Sequence, residues 1–257
     1  MSQVPPDAAP TPQGPPYEGL AAIYDFVMRH VDYVSWASYV DGLLRKFGNG
    51  PGTLVDLACG TGNATLQFSR LGYEVSGIDA SAAMVAVARG KAEGIESPVR
   101  FWTGDLRSLE DLGPFDAATC LYDSFNYLMT TEDVGAALES VAGILKADGV
   151  FVFDICTERN SLDHFRDVRD AEEGAGFIYT RHSHYDAERR IQFNSFDISY
   201  EDRRVCETHV QRIYELDQMT ALIAASRFEM LGAFDGFSMH PGSDHSDRVH
   251  FVLLLPG

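Results

Sequence analysis

The chain has 257 residues, 45% of them hydrophobic, and a formal net charge of −18. That length supports one sizeable core with room for an inserted subdomain. No apolar run approaches the roughly 18 residues of a membrane-crossing helix, and no basic cluster suits a phosphate backbone, so membrane and nucleic-acid partners are not expected.

Residues 1–16 carry six prolines and almost no large apolar side chains, and read as a disordered tail. Glu18–His30 and Trp36–Phe47 space apolar residues at helical intervals and predict two helices. From Thr53 strands and helices alternate. Strands are expected at Thr53–Leu57, Glu74–Ile78, Val99–Thr103, Phe115–Leu121 and Gly149–Ile155. Helices are expected at Ala64–Leu71, after a Ser81 cap, and at Val134–Leu145. This alternation implies a parallel sheet covered on both faces. After residue 155 the pattern changes. Phe177–Tyr185, Arg190–Tyr200 and Arg204–Tyr214 are rich in aromatic and β-branched residues, with polar breaks between them, and predict an inserted antiparallel meander. A helix at Asp217–Ser226 and strands at Phe228–Phe237 and Arg248–Leu255 complete the pattern.

Four cysteines (Cys59, Cys120, Cys156, Cys206) form no C-x-x-C pair. With no basic-then-apolar leader at the N-terminus, they read as reduced thiols of a cytoplasmic protein. The acidity reads as a solvated surface, with adaptation to high salt as the alternative.

The most informative stretch is Val55-Asp56-Leu57-Ala58-Cys59-Gly60-Thr61-Gly62-Asn63. A strand runs into a glycine turn and a helix begins at Asn63. Gly60 and Gly62 allow positive φ and close approach of a ligand, toward which the new helix presents unpaired N–H groups. The turn by itself indicates a nucleotide-like ligand. Asp79, 19 residues after Gly60, ends the second strand, where a carboxylate accepts from ribose hydroxyls; NAD enzymes share this feature. Position 65 is Thr where a dinucleotide motif has its third Gly. Asp56 inside the motif repels a pyrophosphate and suits a cationic amino-acid ligand. Asp105 follows the third strand, placed to accept from an adenine amino group. The plain structural alternatives are a helix cap for Asp79, a surface turn for Asp105 and core aromatics for Tyr24 and Trp36.

VDLACGTGN (55–63), GIDAS (77–81), GDL (104–106) and FDAATCLYDSFNYL (115–128) resemble the motifs of class I S-adenosylmethionine-dependent methyltransferases. YEGLAAIYD (17–25) and ETHVQRIY (207–214) extend the resemblance to roughly residues 17–255, toward bacterial small-molecule enzymes and more distantly sugar-nucleotide N,N-dimethyltransferases and glycine N-methyltransferases. The resemblance implies an α/β fold: a Rossmann-like, seven-stranded, mostly parallel sheet with helices on both faces, plus an inserted antiparallel β subdomain. It implies a cofactor-binding domain over 17–155 and 215–257, and an insert over 156–214 covering a substrate pocket. It further implies S-adenosylmethionine as cofactor, a small-molecule acceptor and a monomer or homodimer. Asp56, Ala58, Cys59, Gly60 and Gly62 would line the methionine part, and Asp79 the ribose. Ala80, Met84, Asp105 and Leu106 would lie by the adenine, Leu121 and Tyr122 by the sulfonium, with Tyr24 and Trp36 closing over it. Ala58 departs from the frequent Gly.

The acceptor side is read from strand ends. Asp123, Asn126 and Tyr127 follow the fourth strand, at the carboxyl edge where parallel sheets bind ligands. In 204–214, Glu207, His209 and Gln211 share one face, which meets solvent or roofs the pocket. Cys206, Thr208, Val210 and Tyr214 share the other, which reads as packing. Arg212 lies on that packing face and favours an acidic substrate only if it reaches the site. His209, Tyr17 and Asp123 are the candidate bases. His182 and His184 share a face without a third ligand, so no metal is expected. Two alternatives remain at this point: a catalytically silent cofactor-binding or regulatory protein, and an NAD(P)-dependent oxidoreductase on the same architecture.

Overall fold

The computed structural model describes residues 16–94, 99–109 and 112–257. Apart from Pro16, the tail expected at 1–16 lies outside the described residues. The chain opens with a 3-10 turn at Leu20–Ala22, a one-turn helix α1 (Tyr24–Val27) and α2 (Tyr33–Phe47). It then alternates through β1 (Thr53–Leu57), α3 (Asn63–Arg70), β2 (Glu74–Asp79), α4 (Ala82–Ala92), β3 (Arg100–Thr103) and β4 (Phe115–Cys120). A 3-10 turn (Ser124–Tyr127) and α5 (Thr131–Ile144) lead to β5 (Leu145–Cys156) and α6 (Glu158–His164). Strands β6 (Asp167–Gly174), β7 (Phe177–Asp186), β8 (Ile191–Tyr200) and β9 (Arg204–Arg212) follow, then α7 (Leu216–Ala224), β10 (Glu229–Asp235) and β11 (Arg248–Leu254).

Seven strands form one sheet in the order β10-β11-β5-β4-β1-β2-β3, in which β11 alone runs antiparallel to its neighbours. The expected α/β architecture is therefore observed. Both faces are covered, which is why β5 reads as a continuous apolar run instead of an alternating one. Phe151 and Phe153 pack with α5 and α7 through Leu138, Val141 and Met219. Val150 and Val152 point the other way, toward Val40, Leu43 and Leu44 of α2. The chain builds outward from β1 to β2 and β3, then returns to place β4 on the other side of β1. That reversal opens a crevice at the carboxyl ends of β1 and β4.

The second sheet is the meander β6-β7-β8-β9. Its Tyr179, Phe196 and Ile198 pack against Leu20, Ile23 and Val27 of the N-terminal segment.

The structure departs from the sequence reading at four places. The single helix expected at Glu18–His30 is broken into two short turns. The amides of Gly19 and Leu20 donate to the Glu207 carboxylate at 3.3 and 2.9 Å, so tertiary partners take the N–H groups of the first turn. Helix α6 and strand β6 were not expected; β6, Asp-Val-Arg-Asp-Ala-Glu-Glu-Gly, is an edge strand too polar to show in apolar patterning. In β9 the face carrying Cys206, Thr208 and Val210, expected to pack, is half-exposed, whereas the polar face of Glu207, His209 and Gln211 is buried, as the roofing alternative has it.

Candidate functional site

A cavity of ≈ 680 Å³ lies at the carboxyl ends of β1 and β4, under the meander and the N-terminal segment. Most of the residues singled out in the sequence line it: Tyr17, Tyr24, Trp36, Asp56, Ala58, Cys59, Gly60, Asp79, Ala80, Met84, Asp105, Leu106, Leu121, Tyr122, Asp123, Tyr127 and His209. Gly62, Asn126 and Arg212 do not.

The floor is the glycine turn. Ala58 (φ 53), Gly60 (φ 56) and Gly62 (φ 79) are all left-handed. Ala58 takes a conformation that glycine adopts without strain and alanine only at a cost of about 1–2 kcal/mol. Gly60 presents bare backbone to the cavity: the nearest atom to a Cβ there would be Tyr24 Cε1 at 3.9 Å. Gly62 has a packing role, since a Cβ would collide with Phe101 at 2.8 Å. Asp79 accepts from Gly60 N and Ser81 N, both at 2.8 Å, and so ties the turn to the end of β2. Asp56 is buried, accepting from Thr65 at 2.6 Å and Thr119 at 2.8 Å. Burial raises Asp56 to about 6 and raises Asp79 above the usual carboxylate range. Among the described residues no cation pairs with either carboxylate, so the turn is suited to a ligand that brings positive charge. The burial-raised Cys59, Cys120 and Cys156 thiols are not nucleophiles here.

Asp105 sits half-exposed at the cavity rim with its carboxylate engaged by Arg107 at 2.6 Å, which draws it below its ordinary value. It reaches an adenine edge only by sharing that partner.

The loop after β4 is held from below. Tyr122 (φ 61) and Asp123 (φ 52) are consecutive left-handed residues. Their amides donate to Oδ1 and Oδ2 of Asp154 at 2.7 and 2.8 Å. Arg248 of β11 pairs with Asp154 and, at 2.7 Å, with Asp123. Its guanidinium also lies over the rings of Trp36 and Tyr122 at 5.2 and 5.0 Å. Asp123 accepts from Gln211 at 2.6 Å as well. The candidate base Asp123 is thus committed on both oxygens.

Two acceptor-side expectations are corrected. Asn126 is fully buried and serves as a clamp, donating to Arg212 O at 2.8 Å and accepting from Cys156 N at 3.0 Å. Arg212 points away from the cavity, donates to Met129 O at 3.1 Å and lies over Tyr214. Its parity on β9 dictates this, because Gln211 and His209 take the inward positions.

The roof carries a hydrogen-bonded chain. The Tyr17 and Tyr127 hydroxyls are 2.6 Å apart, Tyr127 Oη lies 3.0 Å from His209 Nδ1, and His209 Nε2 lies 3.4 Å from Glu207 Oε1. Burial raises both tyrosines well above their ordinary value, so both hydroxyls stay neutral.

The N-terminal segment is latched to the floor by Asp25 of α1. Its Oδ1 accepts from Thr61 at 2.6 Å and Asn63 at 2.9 Å, and its Oδ2 pairs with Lys91 at 2.8 Å. The sequence reading singled out Gln211 only as a member of the polar face of β9, and Asp25, Asp154 and Arg248 not at all. Only Asp154, a carboxylate inside an apolar strand, carried a local signal.

A family described as "Methyltransferase domain" matches residues 54–149. A protein of Geobacillus sp. (strain WCH70) named "putative methyltransferase" is 31% identical over 92% of this chain and 98% of its own length. A dTDP-3-amino-3,4,6-trideoxy-alpha-D-glucopyranose N,N-dimethyltransferase of Streptomyces venezuelae is 32% identical over 52% of this chain and 56% of its own length. The crystal structure of an S-adenosylmethionine-dependent methyltransferase from Clostridium acetobutylicum ATCC 824 superposes with a TM-score of 0.80 at 24% identity, covering 94% of this chain and 99% of that one. Cavity, turn and relatives agree, and the chain belongs to the S-adenosylmethionine-dependent methyltransferases.

Proposed function

We propose that this methyltransferase acts on a small-molecule amine, which enters beneath the four-stranded sheet. The observation that carries this reading is the state of the groups facing the acceptor side. Asp123 is held by Arg248 and Gln211, and the Tyr17 and Tyr127 hydroxyls stay neutral. Among the described residues this leaves His209, reached through Tyr127, as the one uncommitted base on the acceptor side, and nothing that holds an alcohol ionised. A neutral amine needs only a free lone pair, orientation and exclusion of water. His209, reached through Tyr127, is the group that would take a proton from an ammonium form. The N,N-dimethyltransferase among the relatives supports nitrogen as the acceptor atom.

S-adenosylmethionine supplies an activated methyl group on a cationic sulfur. The roles of the chain's residues follow from their positions. Asp79 would accept from ribose hydroxyls with the lone pairs left after Gly60 and Ser81, and Met84 and Leu106 would flank the base. The Asp56 carboxylate would favour the cationic amino-acid end. Leu121 and Tyr122 would border the reacting sulfur, with Tyr24 and Trp36 above it. Residues 17–47 and 156–214 would act as a lid that sets acceptor choice.

Release of S-adenosylhomocysteine against a panel of primary amines, phenols and carboxylates tests the proposal. Turnover confined to amines is expected; turnover of phenols or carboxylates in place of amines overturns it. Exchanging residues 156–214 with those of a relative is expected to change which amine is used, and an unchanged preference removes the lid role.

A further inference from the structure

The inner face of the meander carries an aligned row of side chains. Glu207 on β9 pairs with Phe196 on β8, Phe196 with Arg181 on β7, and Arg181 with Asp170 on β6. Neighbouring strands lie about 4.8 Å apart, so the Arg181 backbone sits about 10 Å across the sheet from Glu207 and, two residues further along β9, about 12 Å from His209. Arg181 is the one basic member of this row. It lines the main cavity and also a second cavity of ≈ 410 Å³, and both cavities share Val27 and His30. The two spaces therefore meet at Arg181, beyond the roof chain.

The guanidinium is incompletely used. Its Nη2 and Nε both donate to a single oxygen, Oδ2 of Asp170, at 2.5 and 3.2 Å. Nη1 has no partner among the described residues. The other carboxylate at the second cavity, Glu172, is already held by Arg29 and by the Tyr179 hydroxyl at 2.9 Å. Phe165 supports the guanidinium from its ring face at 5.9 Å. A chain of net charge −18 thus places a supported arginine with a free donor on the inner wall, between two carboxylates that are already paired.

We propose that Arg181 anchors an anionic group of the acceptor, a phosphate or a carboxylate, two strands across the meander from the Tyr127–His209 chain. The inference rests on the small-molecule reading above and narrows it: the acceptor is elongated, with its amine under the Tyr127–His209 chain and its anionic end where the two cavities meet. A guanidinium fork with an unused N–H offers charge-assisted bonds to an anion and no use for a second cation.

Calorimetric titration of thymidine diphosphate, pyrophosphate and adipate into the protein saturated with S-adenosylhomocysteine tests the anchor. At least one anion is expected to bind the wild type. Arg181→Gln should weaken it at least tenfold and Arg181→Lys less, with S-adenosylhomocysteine binding unchanged in both. Preference for the phosphates or for adipate identifies the anion class. Asp170→Asn is the second variant, because it releases the guanidinium from its only carboxylate and is expected to tighten anion binding. Failure of all three anions to bind the wild type, equal binding by Arg181→Gln, or no gain in Asp170→Asn overturns the anchor. The amine panel reports separately on the underlying reading, so amine turnover without anion binding removes the anchor alone.

Discussion

The Thr65 hydroxyl donates to Oδ2 of Asp56 at 2.6 Å. The residue that stands where a dinucleotide motif would have glycine thus serves the carboxylate that a pyrophosphate would not tolerate. The two departures from the dinucleotide pattern are one device, completed by Thr119 from β4 at 2.8 Å. The hydroxyls keep a buried charge solvated without neutralising it.

Cofactor affinity should therefore depend on pH. Burial, opposed by Thr65 and Thr119, raises Asp56 from 3.8 to about 6. The folded protein then holds a proton that the unfolded chain gives up earlier. Stability from this group is fully present below 3.8 and is lost as pH rises toward 6. A cationic ligand favours the carboxylate, so S-adenosylmethionine binding strengthens from about pH 5 to about pH 7 and releases protons. Asp79, also raised by burial, titrates in the same sense. Calorimetry across this range should show the slope in the wild type and a smaller one in Asp56→Asn.

Asp79→Ala removes the acceptor of the Gly60 and Ser81 amides and leaves both without their partner. Loss of cofactor affinity should be about a hundredfold, or about 3 kcal/mol. Asp79→Asn, which keeps one acceptor oxygen, should fall between. Binding of S-adenosylhomocysteine to proteins of confirmed melting temperature measures this, and unchanged affinity in Asp79→Ala removes it from the ribose site.

Arg248→Met leaves the fully buried Asp154 without its cation. A cost of about 3–5 kcal/mol in denaturant unfolding is expected, since an unpaired buried charge is the expensive state. The double variant Arg248→Met with Asp154→Asn should recover most of it. If the double variant is no more stable than the single, the pair is not what holds the Tyr122–Asp123 loop.

The Asp25 latch should set the rate of cofactor exchange. Asp25→Ala or Lys91→Met is expected to speed S-adenosylhomocysteine dissociation about fivefold, on the order of 1 kcal/mol for half-exposed pairs. Stopped-flow fluorescence of Trp36, which lines the cavity, reads this directly. Added salt should accelerate release from the wild type and change little in the variants, because screening removes what the substitutions remove.

The sequence by itself determined the elements whose burial is decided locally. The β1 turn, the Asp79 and Ser81 pair, and the sheet strands were legible because each places its apolar period and its turn residues within a few positions of one another. The chain around Asp56 was legible as chemistry for the same reason. The tertiary structure alone decided the rest. Arg248 became a cavity residue because β11 inserts beside β5 and brings it to Asp154, 94 positions away. Glu18–His30 failed to form one helix because Glu207, nearly 190 positions distant, captured its amides. Arg212 stayed a conditional candidate because a period of two gives β9 two faces and no sign of which one meets the cavity; the sheet turned the Glu207, His209 and Gln211 face inward and left Arg212 outside. Those relations rest on long-range pairing, where the partner's position, and not the residue's own neighbours, fixes the free energy.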